Sequence, residues 1–246
     1  MIKLGNNNIG KIYLGSNSIG KAYLGSNLVF QRGSGPSPSL PYTPVEYIET
    51  DGNAYINTGI KGNDPRSCHF KFSVGSIGSS RCILGTGSGT EDSSLYVLGY
   101  VNTSGYFGFC HTYFYANSAS NGYLITPGSP FEAKVAMKNA SQVAQLKKEG
   151  DSSFESYSKT QSATLTTNKS MYLFAANNGD STTFGLCPSG SKLYFCKIYS
   201  DNSYTTLVFD GIPCVYNGEY GVWDKVSNTF FGNAAASGAF TGPSIS

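Results

Sequence analysis

At 246 residues with a formal net charge of +2, the chain fits one large domain or a domain with an appendage, and its balance excludes strong non-specific attraction to nucleic acid or an anionic membrane. Glycine (30), tyrosine (18) and phenylalanine (15) outweigh good helix formers, as in a β-rich protein with many tight turns. No run approaches the roughly 20 apolar residues of a membrane span, and residues 1–8 lack the apolar core of a cleaved leader, so secretion is not expected.

The first thirty residues repeat every ten. Leu4, Leu14 and Leu24 precede Gly5, Gly15 and Gly25, and Asn7, Asn17 and Asn27 follow two places later. Ten residues are too few for a helical repeat and predict one short strand plus one tight turn per period. Gly-Ser-Asn supplies the left-handed angles of a turn, and Ile-x-Lys-x-Tyr-Leu an extended, half-buried run. Three such strands cannot enclose a core alone. The segment must bury Ile9, Ile12, Leu14, Ile19, Tyr23 and Leu24 on sister chains, on a host particle or on the domain that follows. Residues 1–30 therefore read as an anchoring and oligomerisation segment.

Residues 31–44 carry four prolines among Gly and Ser and predict a linker, partly extended and poor in strand or helix. From residue 45 onward, short strands alternate with Gly, Asn and Ser. Runs over 45–50 and 54–59 flank the turn Asp51-Gly52-Asn53, and 69–74 alternates apolar and polar with period two. Runs over 94–101 and 106–115 are neighbouring strands across Asn102-Thr103-Ser104-Gly105, and 131–137, 170–175 and 192–199 continue the series. Only 133–148 could be helical, and its Asn139-Ala140-Ser141 interruption favours two strands joined by a turn. About a dozen short strands with regular turn signals predict a two-sheet sandwich over 45–246.

Cysteines stand at 68, 82, 110, 187, 196 and 214, scattered and without metal-type pairing. With a chain large enough for a real core, they read as mostly free, buried thiols. The Asn-x-Ser sequons at Asn102, Asn139 and Asn168 read as chance matches.

Two segments resemble a known family. Residues 47–60, Tyr-Ile-Glu-Thr-Asp-Gly-Asn-Ala-Tyr-Ile-Asn-Thr-Gly-Ile, are similar to the first hairpin of laminin-G/concanavalin-like jelly-roll domains of bacteriophage and bacterial surface proteins. Lys197-Ile198-Tyr199, the run 207–214 ending Pro213-Cys214, Gly221-Val222-Trp223-Asp224, Phe230-Phe231-Gly232-Asn233 and Gly238-Ala239-Phe240-Thr241-Gly242 resemble the closing segment of the same domains. The decamers resemble repeats that precede such domains in tail-fibre, receptor-binding and head-fibre proteins of phages infecting gut bacteria. The resemblance implies a homotrimeric virion surface component, assembled in the host cytoplasm and joined to other virion proteins through residues 1–30.

Catalytic patterns are missing. A glycosidase needs two carboxylates facing one sugar bond, and the Glu-x-Asp-x-x-Glu run of concanavalin-like hydrolases does not occur. Glu46 and Glu49 point to opposite faces of a strand. Glu91-Asp92 reads as a solvated turn. His69 and His111 read as packed or surface residues, scattered thiols make no zinc site, and Gly85-Thr86-Gly87-Ser88-Gly89 lacks the Lys-Ser/Thr of a phosphate loop. No enzyme is expected, and a glycan hydrolase is the weakest of three readings.

Binding chemistry is better served. Jelly-roll lectins hold sugars with Asn and Asp hydrogen bonds and a stacked aromatic face. Asn177-Asn178-Gly179-Asp180 and the loop over 117–123, after Tyr113-Phe114-Tyr115, supply such groups. The candidate ligand residues are Asn177, Asn178, Asp180, Tyr115 and Trp223. Asp180 and Asp92 offer the hard oxygen that a loop-tip calcium takes, although a plain turn role is the favoured reading of both, and no other cofactor is expected. Trp223 is either a sugar platform or packed beneath the C-terminal segment, with Asp224 bonding a turn. Two functions follow: an adhesin whose loops recognise a host-surface glycan or protein, or a purely structural head or tail decoration protein.

Overall fold

The computed structural model describes residues 40–63, 66–87, 96–111, 113–116, 123–138, 141–159, 166–178 and 183–243, and the backbone of short strands at 3–4, 7–8, 12–14, 17–19, 21–24 and 27–31. It separates into two compact units, Met1–Pro41 and Tyr42–Ser246.

In the first unit Lys3–Leu4 pairs with Asn7–Asn8, Ile12–Leu14 with Asn17–Ile19, and Lys21–Leu24 with Asn27–Gln31, all antiparallel. Each decamer thus holds two strands, not the one expected. The reason lies in the repeat itself: two residues separate Leu4 from Asn7, Leu14 from Asn17 and Leu24 from Asn27, and each Leu is the register partner of its Asn. Gly-Asn or Gly-Ser is the dipeptide chemistry of a two-residue hairpin. Of the expected anchoring residues, Ile12, Leu14, Ile19, Tyr23 and Leu24 stand in these strands, and Ile9 falls outside the described residues.

The second unit is an all-β jelly-roll sandwich, and no helix occurs among the described residues. The 11-stranded larger sheet runs Glu155–Lys159, Ser141–Lys148, Phe131–Lys138, Arg66–Ser73, Ser191–Tyr199, Leu207–Tyr216, Glu219–Asp224, Thr229–Phe231, with Thr43–Pro44, Ile48–Thr50 and Phe240–Thr241 beside it. The 8-stranded smaller sheet runs Tyr113–Ala116, Phe107–His111, Tyr96–Val101, Arg81–Thr86, Thr166–Leu173, Ile56–Asn63, with Ala176–Asn177 and Thr183–Phe184 beside it. The stretch that could have been helical is a hairpin, with Phe131 opposite Lys148 and Lys138 opposite Ser141. Alternation explains the layering: Phe70 and Phe72 are buried while His69 and Lys71 face outward. Phe70 and Phe107 meet Phe131 edge-on, with ring centroids 6.3 and 5.8 Å away, at the centre of the core.

The two segments that carry the family resemblance come together. Ile48–Thr50 pairs with both Ser191–Tyr199 and Phe240–Thr241. Asp51 ties the seam, accepting from the backbone N–H of Asn53 (2.9 Å), Ala54 (3.2 Å) and Ala239 (2.9 Å). Those bonds hold its carboxyl below the ordinary carboxylate range. Gly52 takes φ of +100°, which an L side chain rarely adopts, as the Asp-Gly-Asn turn requires. Thr43–Pro44, which the sequence assigns to the linker, pairs with Val215 and Cys214 and belongs to the larger sheet. Cys68, Cys187, Cys196 and Cys214 are free thiols, and these and Cys82 are buried. Burial pushes their thiols up where a shift is resolved, Cys214 to about 11, so they act as small apolar fillers.

Candidate functional site

Asn177 has a bracing role. Its side-chain amide donates to the Ser170 carbonyl (3.0 Å), and its own carbonyl accepts from Gly87 N–H (2.7 Å) and the Thr86 hydroxyl (3.2 Å). The carbonyl bonds fasten Ala176–Asn177 to Thr86 and Gly87, and the amide bond ties it to the Thr166–Leu173 strand. Asn178 is half-buried beside it, and its carbonyl shares the Lys169 ammonium with that of Gly87, both at 3.2 Å. One lysine thus ties together the residues that flank 88–95 and 179–182. Asp92 and Asp180 fall in those two segments, outside the described residues, as does the Tyr115 side chain. Among the described residues no group of three His, Cys, Asp or Glu could hold a metal.

Trp223 lies on the outer face of the larger sheet. Its ring stacks on Tyr42 at 4.9 Å and 24°, and Tyr216 stands at 5.5 Å. In the C-terminal segment, Phe240 turns inward onto Phe174 at 5.0 Å. Phe230 extends the cluster, with its ring 5.3 Å from Tyr216. Gly221 makes room: a Cβ there would come within 2.6 Å of the Phe230 ring. Asp224 turns the other way and is only 2 % exposed. Its carboxylate accepts from the backbone N–H of Asp210 (2.8 Å), Val226 (3.0 Å) and Ser227 (3.0 Å) and from the Ser227 hydroxyl (2.6 Å). The expected turn bond is therefore four bonds, which fix the hairpin that presents Trp223.

The same face carries amines alternating with rings. Lys192 stands over Tyr47 (4.2 Å), Lys71 over Tyr194 (5.0 Å), and Lys134 and Lys147 over Phe154 (4.7 and 5.0 Å). A register shift between Lys71 and Phe72 makes this possible. The bulge lets consecutive Tyr194 and Phe195 both lie outside, Tyr194 beside Tyr47 and Phe195 edge-on to His69. His69 donates to Glu132, whose other oxygen accepts from Lys147 at 3.3 Å. Burial holds His69 below its ordinary value against the pull of Glu132. Burial also opposes ionisation of Glu132, but the bonds from His69 and Lys147 outweigh it and hold the carboxyl low. Both groups are engaged in this network, and Glu49 is paired with Lys192 at 3.5 Å.

Sequence reasoning missed Tyr42, Lys169 and the lysine–ring array. Each depends on a partner far along the chain or on a bulge that breaks strand alternation, and only the Lys-x-Tyr spacing at 192–194 hinted at the array.

No family model matches the chain, and no curated relative matches it. Among solved structures it is similar to the carbohydrate-binding module of a Ruminococcus gnavus sialidase bound to α2,3-sialyllactose, with 12 % identity over 65 % of this chain and 94 % of that one and a TM-score of 0.41. Tailspike protein 2 of an Escherichia coli O157:H7 bacteriophage shares 12 % identity over 66 % of this chain and 24 % of that one, TM-score 0.43. The extracellular region of zebrafish Gpr126/Adgrg6 shares 11 % over 81 % and 26 %, TM-score 0.47. Such distant likeness transfers no ligand and no role to this chain.

Proposed function

We propose that this chain is a bacteriophage virion surface protein of the fibre or receptor-binding type, whose laminin-G-like sandwich binds a host-surface glycan without cleaving it. The observation that carries the reading is the outer face of the larger sheet. Half-buried rings (Trp223, Tyr216, Phe230, Tyr194 and Tyr47) alternate there with amines and carboxylates. Aromatic faces suit the apolar side of a sugar ring, and the charged groups suit its hydroxyls. The N-terminal repeat, with one register repeated at Leu4, Leu14 and Leu24, supports a modular anchor that joins other virion proteins and assembles the chain as a trimer. Linked copies convert weak single sites into useful avidity.

The test is binding of the full chain to intact host bacteria and to a panel of bacterial surface glycans, with and without calcium. Saturable binding that Trp223→Ala weakens supports the adhesin, and loss with a chelator assigns calcium to the segments holding Asp92 and Asp180. Absence of binding by the assembled oligomer identifies a decoration protein. Release of reducing ends from a bound glycan would overturn the non-enzymatic reading.

A further inference from the structure

Away from the Trp223 cluster, a cleft of about 310 Å³ opens between the chain over 123–131 and the end of the Ser141–Lys148 strand. Its wall is apolar where Leu124, Ile125 and Phe131 line it, and polar where Thr126, Ser129 and Lys148 do. Leu124 is left 48 % exposed at this cleft. The volume lies at the small end of ligand sites, which span about 300–1,000 Å³.

Two groups lining the cleft lack the partners that the rest of the sheet provides. Tyr123 is only 5 % exposed, yet its hydroxyl has no hydrogen-bond partner. A buried hydroxyl left unmet carries its full desolvation cost, so such a group calls for an explanation. Its acidic neighbours are engaged elsewhere: Asp151 accepts from the Lys148 backbone N–H (3.1 Å), and Glu155 accepts from the Tyr157 hydroxyl (2.6 Å). The second group is the Lys148 ammonium, 5.3 Å from the centre of the Tyr123 ring and without an ion pair to any described carboxylate. Glu149, which also lines the cleft, pairs with Lys71 at 2.9 Å. A smaller hollow of about 140 Å³ shares Phe131, Lys148 and Glu149 with the cleft and leads on to Lys71 and Lys147, the edge of the lysine–ring array.

We infer that this cleft binds a carboxylated monosaccharide residue of the glycan, its ring against Leu124 and Phe131, its carboxylate on Lys148 and a hydroxyl on Tyr123. The inference rests on the glycan-binding reading and gives it a ligand class: an acidic polysaccharide, one residue held in the cleft and the next directed toward the lysines. A bare anion meets Lys148 but leaves the apolar wall wet, and a neutral sugar leaves Lys148 unpaired.

The probes are glucuronate, N-acetylneuraminate, glucose and inorganic phosphate, titrated into the full chain by calorimetry or saturation-transfer NMR. At least one carboxylated sugar is expected to bind about tenfold or more tightly than glucose and phosphate, the scale of one hydrogen bond to a charged group. Lys148→Met should erase that preference. Tyr123→Phe should weaken sugar binding while the thermal midpoint holds or rises, since it removes an unmet hydroxyl. A merely structural tyrosine would give the higher midpoint with unchanged binding, and that result overturns the proposal. So does phosphate binding as tightly as the sugars. Attachment to bacteria that survives both substitutions sinks the cleft but keeps the adhesin. Sugar binding without bacterial attachment keeps the cleft and sinks the adhesin.

Discussion

The two sheets differ in what they show to solvent. Tyr96–Val101, in the smaller sheet, is buried at every position. Tyr96 and Leu98 face the main core, and Val97 joins Cys82, Tyr100 and Ala176 in a second, smaller core on the opposite side. Phe131 to Met137, in the larger sheet, alternates without a break between buried and half-buried. A strand covered on both faces reads as a continuous apolar run, and one with a wet face reads with period two. The second core covers the outside of the smaller sheet only near Tyr96–Val101, since Asn57, Gly59 and Lys61 are exposed along Ile56–Asn63, whereas the outside of the larger sheet carries half-buried rings.

The sharpest way to break this contrast is substitution on both sides of one strand. Leu98→Ala should destabilise by about 2–5 kcal/mol in urea unfolding, as for other buried leucines. Asp224→Ala removes a nearly buried carboxylate with four donors, and a loss of about 2–4 kcal/mol is expected. Val97→Ala, on the outer side of its sheet, should still lose about 1–3 kcal/mol because a second core lies there. If Val97→Ala is neutral, that face is not covered in solution and the contrast fails. Lys134→Ala, outward on the larger sheet, should stay within about 0.5 kcal/mol.

Acidification sharpens the contrast further, because the outer face of the larger sheet carries the titrating pair. His69 is held below its ordinary 6.5, so the unfolded chain takes up that proton first, and stability falls as pH drops from 6.5 through the lowered value. Glu132 is held below its ordinary 4.5, so its contribution is complete above 4.5 and is lost as pH falls through its own lowered value. Both run the same way. Urea midpoints should hold from pH 8 to 7 and decline toward pH 4, and His69→Phe should remove the upper part of that decline.

Much of the fold was legible because its signals are local. Asp51-Gly52-Asn53 and Asn102 to Gly105 turn as their side chains dictate, with the Asn102 side-chain Oδ1 accepting from Ser104 and Tyr106 N–H, both at 2.9 Å. Asn139-Ala140-Ser141 separated two strands that composition alone would allow as one helix. The candidate site was much less legible. Asn177 looks like a sugar ligand in sequence, and only its distance to Ser170 reveals a brace. Trp223 was visible, but the ring against it comes from Tyr42, 181 positions earlier in a segment that proline and serine mark as linker. Bulges defeat alternation altogether, as Tyr194 and Phe195 show.

The pairing of Thr43–Pro44 with the Leu207–Tyr216 strand has a mechanical consequence. Tension applied at the start of the sandwich enters through two residue pairings and the Tyr42 ring, which is 7 % exposed in its stack on Trp223. These contacts are few and terminal, so they yield before the wide ladders behind them. Their release strips the cover from Trp223 and enlarges the aromatic surface.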